Sequence, residues 1–248
     1  MITEVLWNLR KSRVLFRTVL MIGLLQSLTV PALAVAGTEF SAKLVETRTY
    51  IEGDERKGYF QLQNQGDLPF LLLASVVEPN EDGGEGERSS DFLVSPPVTK
   101  VSPMGRADLS VMRLSEALPK DRETLRYLKV SFMPSQTVDS KEASLMESVN
   151  LFISVFYRPQ SIVADHAVAD GCRRLLLIRE GTKASLMNPT PYWLILPQLL
   201  IDGRPEDHGD RAVRIAPFAY FVLERDGQKI EYCCRQENGL STEMMSLP

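Results

Sequence analysis

The chain has 248 residues, which is enough for two domains of ordinary size, and its 44% hydrophobic and 24% charged residues are typical of a globular protein. Its formal net charge is −4 and its pI is near 5.4, so no overall positive field would attract nucleic acid. We therefore expect partners that are recognised by local surfaces and expect no nucleic acid among them.

Residues 1–36 have the composition of a secretory signal peptide. An apolar run at 19–30 precedes small residues at 31–36, so that cleavage after Ala34 or Ala36 would fit. Four basic side chains precede the apolar run, namely Arg10, Lys11, Arg13 and Arg17. The alternative, a membrane anchor, would need about 20 apolar residues, and this run is shorter. We predict secretion, with no stable membrane insertion after signal cleavage.

The first part of the mature chain consists of short segments with alternating or continuous apolar residues. These predicted strands cover 40–51, 59–63, 68–77, 92–94, 107–114, 127–133 and 145–157. An acidic, glycine-bearing stretch at 78–90 predicts a loop, and 115–123 could form only a short helical turn because of Pro119. About seven strands separated by turns indicate an immunoglobulin-like sandwich.

The second part begins after Pro159 and again contains short predicted strands. They cover 175–178, 183–187, 193–201, 212–215, 218–223 and 229–234, and we expect the last strand of this part to be cropped. The predicted organisation is an all-β protein with an N-terminal domain at 37–159 and a C-terminal domain at 160–248.

The sequence offers no catalytic constellation and no cofactor motif. The two histidines, His166 and His208, fall in predicted loops, and the chain has neither a Gly-x-Ser-x-Gly elbow nor a P-loop. Cys172, Cys233 and Cys234 lack zinc-ligand spacing, whereas an oxidising compartment would permit one disulfide and leave one thiol. We predict that the protein is not an enzyme and holds neither metal nor cofactor.

Four motifs occur in order along both parts of the chain. They are Val-Ser-Pro-Pro at 94–97, Leu-Pro-Lys-Asp-Arg-Glu-Thr at 118–124, Phe-Tyr-Arg-Pro at 156–159 and Asn-Pro-Thr-Pro-Tyr at 188–192. Together they resemble the periplasmic pilus-assembly chaperones of the chaperone–usher pathway, the PapD-like family. The resemblance implies two immunoglobulin-like β-sandwich domains in a boomerang arrangement. It also implies that the protein binds pilus subunits in the periplasm and delivers them to an outer-membrane usher.

In this family the chaperone completes the subunit's sandwich with one of its own strands, a mode called donor-strand complementation. By resemblance, the donor strand here is 145–153, with Leu145, Glu147, Val149, Leu151 and Ile153 on one face. Glu147 departs from the uninterrupted apolar alternation that is usual in the family. The alternative is a plain core strand in a secreted two-domain structural or adhesion module without subunit capture.

The resemblance also implies a site for the C-terminal carboxylate of the subunit. Arg48 matches the anchoring arginine of the first strand, and a guanidinium can donate two parallel hydrogen bonds to a carboxylate. Ser154 occupies the position of the usual lysine, so it brings no second charge.

Two further features follow from the resemblance. Glu123, Arg158 and Asp226 occupy the positions of a charge network between the domains. A disulfide is usual near the end of the second domain, and here it would join Cys172 to Cys233 or Cys234.

Overall fold

The computed structural model describes residues 41–80, 84–134, 149–164, 167–181, 183–206 and 212–247. The predicted signal peptide therefore lies outside the described residues. Within the described ranges, no helix is long and apolar enough to cross a membrane.

Ten strands form the first part of the described chain. They are β1 (Ala42–Leu44), β2 (Arg48–Glu52), β3 (Lys57–Asn64), β4 (Phe70–Pro79), β5 (Glu85–Arg88), β6 (Phe92–Ser95), β7 (Val98–Val101), β8 (Arg106–Arg113), β9 (Thr124–Pro134) and β10 (Val149–Arg158). Burial alternates residue by residue along β3 and β8, as the two-residue side-chain period of a half-buried strand requires.

These strands form two sheets that pack around one core. One sheet has the order β1-β3-β8-β6, and the other has the order β2-β10-β9-β4-β5, with β7 also paired to β4. The core between them takes side chains from both sheets, among them Phe60, Leu62, Leu109, Val111, Ile51, Leu72, Leu128 and Val155. The all-β sandwich predicted for this part is confirmed.

The described residues of the second part form three sheets of two to four strands. Its elements are a 3₁₀ turn (Gln160–Ile162), α1 (Ala167–Cys172), β11 (Leu176–Glu180), β12 (Lys183–Met187), β13 (Leu194–Leu196), β14 (Gln198–Ile201), β15 (Arg204–Pro205), β16 (Val213–Ile215), β17 (Tyr220–Val222), β18 (Ile230–Cys233) and β19 (Met245–Leu247). They pair as β11-β12-β17, β13-β16 and β15-β14-β18-β19 around a separate core that includes Leu186, Leu196, Ile201, Val213 and Tyr232.

The predicted strand at 193–201 is two strands that belong to different sheets. β13 pairs with β16, whereas β14 pairs with β15 and β18. The break falls at Pro197, which has no N–H to donate to a ladder. The chain can therefore change sheets there, and this lets β13 and β16 form a separate ribbon.

Three local expectations differ from the structure. The predicted loop at 78–90 contains β5, which extends the hairpin from β4 and carries Glu85 into an ion pair of 2.6 Å with Lys129. Residues 115–123 form bends rather than a helical turn. The last strand of the second part is not cropped at Cys234, because β19 pairs with β18.

Candidate functional site

The strand β10 has one edge that is only half paired. Its antiparallel partner β9 follows it from Val149 to Tyr157, whereas its parallel partner β2 covers only Ser154 to Arg158. Within the part of the chain that the structure describes, no strand pairs with the β2-side edge of 149–153. That edge offers backbone N–H and C=O groups for pairing with another chain.

The side chains of this strand become more exposed toward its beginning. Ile153 is 2% exposed in the sandwich core, Leu151 packs against that core while partly buried, and Val149 is 46% exposed. Leu145 and Glu147 lie outside the described residues. Of the proposed donor face, Ile153 therefore serves the protein's own core, and Val149 and Leu151 are the described residues that could reach a partner.

Arg48 and Ser154 are neighbours across the parallel pair β2–β10, where they are in direct register. Nη1 of Arg48 donates a hydrogen bond of 3.3 Å to the carbonyl oxygen of Gln236, and its Nε is buried without a hydrogen-bond partner. No carboxylate of the described residues lies within 4.0 Å of its guanidinium. The structure thus places beside Ser154 a partly buried cation that no carboxylate of the described ranges compensates.

Arg158 and Glu123 form a buried ion pair. Nη2 of Arg158 lies 2.7 Å from Oε1 of Glu123, and its Nε donates to the same oxygen at 2.8 Å. Oε2 of Glu123 accepts a hydrogen bond of 2.8 Å from the backbone N–H of Trp193. The carboxylate thereby joins the last strand of the first sandwich to the segment that precedes β13.

Two further acidic side chains contact Arg158, and neither was predicted from the sequence. Its Nη1 donates to Oε1 of Glu52 at 2.9 Å, and its Nη2 lies 3.7 Å from Oε1 of Glu237. Glu237 also accepts a hydrogen bond from the backbone N–H of Val168 in α1. The two-residue period of β2 could have indicated Glu52 because it shares a face with Arg48, but no local pattern marks Glu237.

The assignment of Asp226 to this network is wrong. Asp226 lies on the surface, where its Oδ1 is 3.2 Å from Nε of Arg179. It belongs to the turn before β18 and also accepts a hydrogen bond from the backbone N–H of Gly227. A short polar turn satisfies this carboxylate locally, so Glu52 and Glu237 are the additional partners of Arg158.

Burial and the positive charge of Arg158 shift the pKa values of the acidic groups in this region in opposite directions. Burial raises the pKa of Glu123, and the adjacent Arg158 guanidinium and the Trp193 N–H oppose that rise. Burial also raises the pKa of Tyr50 to about 12. The Tyr50 ring stacks on Phe156 at a centroid distance of 5.0 Å, and Cζ of Arg158 lies 4.8 Å from its centre. The phenol therefore stays neutral at physiological pH.

A third apolar cluster connects the two parts of the chain. Val77, Leu125, Tyr127 and Phe156 come from the outer face of the β4-β9-β10 sheet, and Ile195 comes from β13. Trp193 and Ala212 pack against it while partly buried. Packed side chains from both parts therefore lie next to the candidate site.

Asn188 explains why the Asn-Pro-Thr-Pro-Tyr segment has a fixed shape. Its fully buried Nδ2 donates to the carbonyl oxygens of Tyr192 and Ala216, at 2.8 Å and 3.0 Å, and its Oδ1 accepts from Thr190. These bonds hold the loop whose next residue, Trp193, donates to Glu123.

The structure places Cys172 and Cys234 in a disulfide, with Cα atoms 6.2 Å apart. Cys233 is a buried free thiol. Because successive side chains of a strand point to opposite faces, only one of the two adjacent cysteines can reach Cys172. No cluster of three or more metal-ligating side chains occurs within the described ranges.

Comparison with known proteins gives a consistent set of relatives. A family profile described as "Pili and flagellar-assembly chaperone, PapD N-terminal domain" matches residues 41–163. The uncharacterized fimbrial chaperone YcbF of Escherichia coli is 31% identical over 182 residues, which cover 71% of this chain and 74% of the relative. The probable fimbrial chaperone protein ElfD of Escherichia coli O157:H7 is 28% identical over 72% of this chain and 76% of the relative.

The fold is shared with solved structures as well. The complex of the Salmonella enterica SafA pilin with the SafB chaperone contains a chain that superposes with a TM-score of 0.73 at 23% identity. The match covers 86% of this chain and 98% of the other. Such a likeness establishes two immunoglobulin-like domains.

Proposed function

Because the chain belongs to the PapD-like family of pilus-assembly chaperones, we propose that it binds fimbrial subunits in the periplasm by donor-strand complementation and delivers them to an outer-membrane usher. The family consists of assembly chaperones rather than enzymes. The observation that carries the proposal is the open edge of β10 at 149–153.

An open edge next to apolar side chains is what strand donation requires. Main-chain hydrogen bonds supply affinity that does not depend on sequence, and alternating side chains fill pockets of the partner. Val149 lies on the same strand face as Leu151 and Ile153 but beyond the packed core, since it is 46% exposed, and Leu151 is half-buried. An exposed strand edge can also pair with unintended chains, so a partner that covers 149–153 would protect it.

Arg48 suits the role of carboxylate anchor. Its guanidinium lies on the same sheet as the donor strand and beside Ser154, where β2 begins to pair with β10. A subunit strand added along 149–153 would therefore end near this cation. The terminal carboxylate would supply the negative charge that no described residue provides there.

The test is co-purification of fimbrial subunits from the periplasm with the wild-type chain and two pairs of variants. Val149→Asp places a charge on the donor face, and its control, Asn150→Asp, places the same charge on the opposite face. Arg48→Glu reverses the anchor, and its control, Arg106→Glu, reverses an exposed charge on β8. We expect the wild type and both controls to retain a one-to-one complex with the subunit. Val149→Asp and Arg48→Glu should each lose that complex.

Two contrary outcomes have distinct meanings. If the complex survives Arg48→Glu but not Val149→Asp, strand donation stands and the anchor assignment fails. If the folded wild-type chain captures no subunit at all, chaperone function fails. The chain would then be interpreted as a structural or adhesion module that does not capture subunits.

A further inference from the structure

The sheet face around Ser154 contains a row of three side chains in register. Arg48 on β2 pairs with Ser154 on β10, and Ser154 pairs with Tyr127 on β9. Since neighbouring strands lie about 4.8 Å apart, the ends of this row are about 10 Å apart. Ser154, the smallest of the three, leaves room between the arginine and the aromatic ring.

Arg214 approaches the same row from the second part of the chain. It is the cross-strand partner of Ile195 in the ribbon β13–β16, and Ile195 packs in the cluster that contains Tyr127. Side chains opposite each other on paired strands share a face, so Arg214 is directed to the same place. Its Cζ lies 5.8 Å from the centre of the Tyr127 ring.

Arg214 has no counter-charge among the described residues. Its Nη1 donates to the carbonyl oxygen of Ala212 at 3.2 Å, and its Nε is buried without a hydrogen-bond partner. Arg48 shows the same two features on the other side of Ser154. Arg158, by contrast, contacts three carboxylates.

Two guanidiniums, each with a buried donor that no described residue uses, lie on either side of a small hydroxyl side chain and can hold one anion between them. A buried hydrogen-bond donor without a partner is costly, and a carboxylate can accept a hydrogen bond from each side through its two oxygens. A lysine at position 154 would supply the second cation from the sheet itself. Here the serine leaves that space, and the second part of the chain provides an arginine.

We propose that Arg214 is the second carboxylate-binding residue of this chain. The C-terminal carboxylate of a bound subunit lies over Ser154, between Arg48 and Arg214. This inference rests on the proposed function and adds a specificity-determining residue to it. It also makes subunit capture depend on the second part of the chain.

The test uses the subunit that co-purifies with the wild-type chain and, as the probe, a synthetic peptide of its C-terminal strand. The peptide is made as the free acid and as the C-terminal amide, and its affinity for the full-length chain is measured by calorimetry. Arg214→Gln removes the proposed cation, Arg214→Lys keeps a charge there, and Arg106→Gln is the matched control. Thermal unfolding of each variant establishes that it is folded.

We expect Arg214→Gln to weaken binding of the free acid about ten- to a hundred-fold, as loss of a charge-assisted hydrogen bond would. Binding of the amide should barely change, since the amide has no charge to lose. Arg214→Lys should stay within a few-fold of wild type, and Ser154→Lys in the Arg214→Gln background should restore the preference for the acid.

Equal binding of the acid by wild type and Arg214→Gln would overturn the role of Arg214 while leaving strand donation intact. An equal loss for acid and amide would show that Arg214 only supports the fold, which also overturns the proposal. If no fimbrial subunit co-purifies with the wild type, the proposed function fails and the inference fails with it.

Discussion

Arg158 and Glu123 lie 2.7 Å apart with side chains that are 3% and 0% exposed. Glu123 precedes β9 and Arg158 ends β10, so both belong to the first part of the chain. Yet the second oxygen of Glu123 accepts from Trp193, and Arg158 also contacts Glu237. This pair therefore ties the first sandwich to the second part by polar contacts as well as by packing.

Removing one partner of this pair should destabilise the protein strongly. We expect Glu123→Ala to lower the free energy of unfolding by about 3–5 kcal/mol, because it leaves the Arg158 guanidinium buried without its closest carboxylate. Equilibrium unfolding in urea measures this loss. Asp226→Asn is the control, since a surface ion pair such as Asp226–Arg179 contributes about 0–1 kcal/mol. Equal effects of the two substitutions would contradict the network described here.

The disulfide should stabilise the second part through the length of the loop that it closes. Cys172 and Cys234 are separated by 62 residues, for which loop-closure entropy corresponds to about 4 kcal/mol. We expect Cys172→Ser and Cys234→Ser each to lower the free energy of unfolding by a value of this order. Cys233→Ser, which removes only a buried free thiol, is the control. Thiol labelling of the denatured, unreduced wild type should find one reactive cysteine, and three would refute the pairing.

Tyr50 should make stability depend on pH in the alkaline range. Burial raises its pKa from 10.0 to about 12, so the folded chain keeps this proton where the unfolded chain has lost it. Unfolded chains then bind fewer protons, and the free energy of unfolding falls as pH rises from about 10 to 12. A shift of about two pKa units corresponds to roughly 3 kcal/mol of stability, all of it lost once Tyr50 is ionised in both states.

The measurement is urea unfolding of wild type and Tyr50→Phe at several pH values between about 8 and 12. We expect a steeper alkaline decline in the wild type than in Tyr50→Phe. Tyr59→Phe, which alters an exposed ring, should behave as wild type. Parallel curves for wild type and Tyr50→Phe would show that Tyr50 titrates normally.

The fold class could be predicted from the sequence because the apolar alternation along β3 and β8 and the four motifs all indicate an immunoglobulin-like β-sandwich. It failed where an element is defined by contacts distant in the chain. The run at 193–201 looks continuous, and only pairing shows that Pro197 divides it between two sheets. β19 has little local signal and forms by pairing with β18.

The residues of the candidate site could also be predicted only in part from the sequence. Family motifs indicated Arg48, Glu123 and Arg158, but a loose match placed Asp226 in a network that it does not join. Glu237 and Arg214 were missed because each reaches the site through folding of the second part. Their sequence neighbours carry no periodic pattern that would single them out.

The central claim is that the open edge of β10 pairs with a strand of a fimbrial subunit. Hydrogen–deuterium exchange of the backbone amides at 149–153, in the free chain and in its purified complex with a subunit, tests it most directly. We predict slower exchange in this segment of the complex, with little change at β3 and β8. Unchanged exchange at 149–153 in a stable complex would contradict strand donation and place the subunit on another surface.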